Sequence, residues 1–243
     1  MQREAGEIGV RLAGSPALDY TCRMARFPDT QWSLVRRSGL ASQRHDAFSA
    51  LARAYRPAIL AYFRARLAPT DADDATQSFL AASFEHDWWA RADAGVASFR
   101  TFLLMLLRRH LARCRTTEAS MDPLEAESEL PDPSPEAERQ FDARFALVLT
   151  QRALDGLRGE YRDRGEGPRF EAMVRLLSDP PGHGELQLAA DALGMGANAL
   201  SVALKRLRQR WQARLREELM QLCADPDAFA ADWAALRQVI GGA

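Results

Sequence analysis

Six basic side chains, Lys205, Arg206, Arg208, Arg210, Arg214 and Arg216, crowd the stretch LQLAADALGMGANALSVALKRLRQRWQARLREEL between Leu186 and Leu219. On one helix they would offer a row of cations to the phosphates of a nucleic acid, a chemistry of binding rather than of bond-making. The residues just ahead supply the means of positioning them. Leu188, Ala189 and Leu193 repeat at helical spacing, Gly194-Met195-Gly196 gives a tight turn, and Leu200, Leu204 and Leu207 repeat again. The pattern predicts a helix-turn-helix in which those two leucine rows close a small core, Ala189 and Ala190 allow close approach, and Gly194 takes the turn's positive φ. The second helix of such a motif enters the DNA major groove. An ordinary helical hairpin with a solvated basic face is the alternative.

Composition narrows the remaining choices. The chain has 243 residues, 47% hydrophobic, with a net charge of −1, so nucleic-acid contact has to come from local patches. Lys205 is the only lysine, which points to a compositional bias toward arginine. Cys22, Cys114 and Cys223 are odd in number and widely spaced, against a disulfide framework or a zinc site and in keeping with a reducing cytoplasm. No apolar run is long enough to span a membrane, and no signal peptide is expected. His45, His86, His110 and His183 are scattered, and there is no glycine-rich phosphate loop, nucleophile elbow or HExxH. Asp73 and Asp74, the one carboxylate pair considered, are neighbours that diverge on a helix. An enzyme is therefore not expected, and no metal or cofactor is implied.

The rest of the chain reads as helices. Residues 1–26 are a weakly patterned, glycine-containing lead, with Met24 as an alternative start. Asp46–Arg66 is helical, with Pro57 expected to kink or split it. Thr70 with Asp73 suggests a capping box for the next helix, whose apolar face is Phe79, Leu80, Phe84 and Trp88. Gly95 marks a loop and Ser98 is the expected N-cap of Phe99–Arg115. Residues 118–134 hold acids and prolines without a basic group, the composition of a linker. Pro135 with Glu136 starts a helix, Arg158–Gly167 reads as a polar break, and Pro168–Leu177 as a short helix. Ser178–Gly184 is a loop, and Ala228–Ile240 a closing helix after Asp225-Pro226. No stretch alternates with period two. The expectation is an all-α chain of two helical domains, 27–117 and 135–222, joined by the acidic linker 118–134 and followed by a tail, 223–243.

The order of TDADDATQSFLAASF, SFRTFLLMLLRRHLARCR, an acidic linker and a helix-turn-helix ending in KRLRQRWQARLREEL resembles the extracytoplasmic-function group of sigma-70-type sigma factors. The resemblance covers roughly Phe27 to Leu219. It implies a transcription-initiation factor that binds the clamp helices and flap of core RNA polymerase and recognises promoter DNA at the −10 and −35 elements. By this resemblance Asp71, Asp73, Asp74, Gln77 and Ser78 would meet the polymerase clamp, with Phe79 in the core. Arg100, Arg108, Arg109, His110 and Arg113 would hold DNA near −10, with Trp88 and Trp89 as neighbours that pack or stack on a base. Asn198, Ser201, Val202 and Lys205 would face base edges at −35, while Arg206, Arg208 and Arg210 would bind phosphates. The sequence departs from the family at Gly196, where a serine cap is common, at Ser201 and Ala203, where basic residues are common, and at Ser78, where glutamate is common. A hydroxyl in place of that acid suggests control by a Ser/Thr kinase acting at Thr70, Thr76 or Ser78, with an anti-sigma protein or the tail itself as other modes of control. The competing function is a helix-turn-helix transcriptional regulator whose first domain dimerises or senses a signal; a purely structural helical scaffold is the remaining one.

Overall fold

The computed structural model describes residues 44–91, 97–115, 132–178 and 185–240. All regular structure among them is helical: α1 (Arg44–Arg64), α2 (Pro69–Glu85), a 3-10 turn (Trp89–Arg91), α3 (Phe99–Arg115), α4 (Pro135–Asp163), α5 (Gly167–Ser178), α6 (Glu185–Ala192), α7 (Ala197–Met220) and α8 (Pro226–Ile240). The lead 1–26, the Gly95 loop and most of the 118–134 and Ser178–Gly184 stretches lie outside the described residues. None of the described helices is long and apolar enough to cross a membrane.

The described residues form two compact units. One comprises 44–148 together with Leu219–Val239, the other Leu149–Glu218 together with Ile240. In the first, α1 packs on α2 and both pack on α3. Leu51, Tyr55, Ile59 and Phe63 recur every four residues along α1, so they fall on one face, and all are buried. They meet Phe79 from α2 and Phe99, Leu103, Leu106 and Leu107 from α3, likewise buried. Tyr55 stacks on Phe145 of α4 at 5.5 Å, and Phe141 stacks on Phe145. Burial of this many large side chains, at about 1.5–3 kcal/mol each, is what holds the unit.

Local signals fix most helix ends. Ser98 caps α3 as expected, its Oγ accepting from the Thr101 N–H at 3.1 Å. Asp225 does the same for α8, accepting from Ala228 N–H at 2.8 Å, with Pro226 at the first helical position. The carbonyl of Leu222 accepts the N–H of Phe99 at 2.8 Å, satisfying another free donor at the start of α3.

Several expectations are corrected. The Thr70–Asp73 capping box does not form: α2 begins at Pro69 with Ala68 as a cap lacking a side-chain bond, because proline at the first position already fixes the helical φ. Pro57 does not split α1, and it lies on the exposed side. Trp88 is not on α2, which ends at Glu85; Asp87 takes a positive φ of 53°, and Trp88 folds back to donate its N–H to Ser83 O at 3.1 Å. The polar stretch after Leu157 does not break the helix, since α4 continues to Asp163 and turns only at Gly165, φ 75°. Arg158 stabilises that continuation through Asp155, three residues earlier, and it also bonds Glu171 of α5 at 2.5 Å.

Candidate nucleic-acid interface

Helix α6 ends in a turn with a defined hydrogen-bond pattern. Gly194, φ 63°, donates to Asp191 O at 3.0 Å, and Met195 donates to Ala190 O at 2.9 Å. This is the Schellman arrangement, which needs a left-handed residue at that position, so glycine is the residue with the least strain. Gly196 then opens α7, its carbonyl accepting from Leu200 N–H at 3.0 Å. The motif's inner face is only partly as expected: Ala189, Leu193 and Leu204 are half-buried and Leu188 is turned out. Leu188 is 70% exposed, whereas Ala190 is fully buried, as are Leu200 and Leu207. Residues two apart on a helix point about 200° apart, so placing Ala190 inside turns Leu188 out.

Along α7 the exposed and buried sides are cleanly separated. Leu200, Leu207, Trp211 and Leu215 are buried. Asn198, Ser201, Val202, Lys205, Arg206, Arg208 and Gln209 are exposed. No carboxylate among the described residues pairs with Lys205, Arg206 or Arg208, and residues 197–212 contain no acid. Arg210 departs from the expected phosphate-binding set. It is half-buried, ion-paired with Glu160 of α4, and lies over the Tyr161 ring at 5.3 Å. Arg214 pairs with Glu217, three residues on in the same helix, at 3.2 Å, an exposed contact.

The second group of expected nucleic-acid residues lies on α3, where Arg100, Arg108 and His110 are engaged by other groups of the protein. Arg100 is half-buried and grips Asp142 of α4 through two bonds, Nε–Oδ1 2.6 Å and Nη2–Oδ2 2.7 Å, while its Nη1 bonds Asp232 of α8 at 3.1 Å. Burial opposes the guanidinium charge, yet the hydrogen bonds and charges of the two acids raise its pKa further above the usual value. Burial pushes the Asp142 carboxyl up, in spite of Arg100. Cys223 shares this pocket of charge; burial first, then Asp232, pushes its thiol up to about 12. Arg108 is ion-paired with Glu138. His110 is buried among Phe63, Phe79 and Trp88, with ring centroids 5.9, 5.4 and 6.3 Å away. Burial, then the Arg113 charge, lowers its pKa to about 4, so it is neutral at ordinary pH. Arg109 and Arg113 are half-buried. Trp88 and Trp89 are in the core and present no face to a base.

His110 is tied to α2. Its Nε2 lies 3.0 Å from Ser78 Oγ, and that hydroxyl donates to Ala75 O at 3.1 Å. One hydroxyl has one proton, so Nε2 carries the hydrogen and donates, leaving the buried Nδ1 as an acceptor without a partner. The expected polymerase-facing residues Asp71, Asp74, Gln77 and Ser78 are exposed. Asp73 faces α1 instead, 3.4 Å from Arg64 and 3.8 Å from Arg56. Of the hydroxyls suggested for a kinase, Thr70 and Ser78 are exposed; Thr76 is buried and donates to Ala72 O at 2.8 Å, so it is withdrawn.

Comparison with models of protein families, with curated proteins and with solved structures gives no match.

Proposed function

We propose that the chain is a sigma-type transcription-initiation factor of two helical domains, which docks on core RNA polymerase and directs it to promoter DNA. The observation that carries the reading is the exposed face of α7: a basic, acid-free surface directly after a Schellman turn, where a groove-entering helix places its reading residues. Arg206 and Arg208 neutralise phosphates and set the register, and Lys205 adds its charge from the base-facing stripe. Asn198 and Ser201 face base edges, an asparagine amide being matched to adenine N6 and N7. The exposed acids Asp71 and Asp74, with Gln77 and Ser78, provide a polar surface of negative charge for a basic partner such as the polymerase clamp. Phosphorylation of Ser78 would add about −1.5 to −2 charge to that surface and displace its bond to His110.

A second reading is favoured by one observation. Arg100, Arg108 and His110 are engaged inside their unit, so α3 offers fewer cations to DNA than a promoter-melting helix would use. A regulator that uses α6 and α7 alone, with residues 44–148 serving another role, needs none of them. Binding of the full chain to purified core RNA polymerase, followed by transcription of genomic fragments by the same complex, separates the two. Tight binding with new start sites sustains the sigma reading. Sequence-specific duplex binding without polymerase binding establishes the regulator, and neither would leave a scaffold.

A further inference from the structure

Val202 stands in the middle of the outward face of α7 and is 49% exposed. At about 100° per residue, Asn198, Val202, Lys205 and Gln209 fall in one narrow stripe, opposite the buried Leu200, Leu207 and Trp211. Valine at that position contributes nothing to the interior and is a weaker helix former than alanine, so the local structure of α7 does not require it. Its surroundings are polar and cationic: Asn198 one turn before, Ser201 beside it, Lys205 and Arg206 one turn after. A polyanion drawn onto this surface meets two methyl groups at its centre. In the major groove of a duplex only one base edge is apolar, the C5-methyl of thymine. A β-branched side chain in a helix is held in a single preferred χ1, which fixes where those methyls sit and makes the contact selective rather than merely adhesive.

We propose that Val202 is a specificity-determining residue that reads a thymine methyl in the DNA site. The inference rests on the DNA-binding reading above. It is tested with the full-length protein and a duplex selected from a random pool. Each thymine of that duplex is replaced in turn by uracil, which lacks only the methyl. Wild-type affinity falls about three- to tenfold at one position. In Val202→Ala that penalty disappears, while Lys205→Ala lowers affinity for both duplexes and keeps it. Equal affinity for thymine and uracil at every position overturns the proposal while leaving DNA binding intact, as does a penalty that persists unchanged in Val202→Ala. Failure of the pool to yield any preferred duplex overturns the DNA reading, and this proposal with it. Because Val202 is exposed and alanine is the better helix former, its replacement does not lower the urea midpoint, which distinguishes a lost contact from a lost fold.

Discussion

Arg100 and Lys205 are both basic, yet their surroundings give them opposite roles. Lys205 is exposed, whereas Arg100 is half-buried and held between two buried carboxylates. Arg100→Ala strands Asp142 and Asp232 without their cation, a loss of about 3–5 kcal/mol that appears as a lower urea midpoint. Lys205→Ala changes stability by less than about 0.5 kcal/mol while weakening DNA binding. His110 sets a pH dependence of definite sign. Its folded pKa of about 4 lies below the usual 6.5, so the unfolded chain binds the proton more readily between those values. The stability it confers is present above pH 6.5 and falls as pH drops toward 4, by up to about 3 kcal/mol. The raised carboxyl of Asp142 acts in the opposite direction, so the measurement is a difference. In His110→Gln, whose amide still donates to Ser78, the contribution between pH 6.5 and 4 is missing from the unfolding free energy.

At the scale of the element, the turn after α6 carries a clear expectation. Gly194→Ala forces a Cβ into a left-handed backbone, costing about 1–2 kcal/mol, and there is no neighbouring atom within 4 Å to blame instead. Thermal unfolding of the variant against Gly196→Ala, whose φ is not positive, isolates the conformational cost. This turn was legible in the sequence, as were the Ser98 cap and the Pro135 start, because each signal is local. The interior was legible only as a pattern. LQLAADAL admits more than one inward face, and nothing nearby chooses between Leu188 and Ala190. The ion pairs of Arg100 were illegible for a related reason: their partners lie 42 and 132 positions away, and an arginine in a basic helix looks the same whether it meets phosphate or a buried carboxylate. The same ambiguity hides the protein partners of Arg108, Arg210 and His110 from a reading of the sequence.

For the whole molecule, a net charge of −1 confines any polyanion binding to local cations. With Arg206 and Arg208 as phosphate contacts, the logarithm of affinity falls with the logarithm of salt at a slope of about −2. Removing Arg206 reduces that slope by about one; an unchanged slope would show that the α7 face is not what DNA meets. Covalent order adds a separate constraint. The unit built on 44–148 takes Leu219–Val239 as part of itself, with Leu222 capping α3 and Asp232 closing the charge cluster. A ribosome delivers those residues only after it has made the whole of 149–218. During that interval the nascent unit lacks Asp232, one of the two acids of Arg100, and the Leu222 carbonyl that accepts the N–H of Phe99, so its charge cluster and the start of α3 are completed only when the last helix has been made.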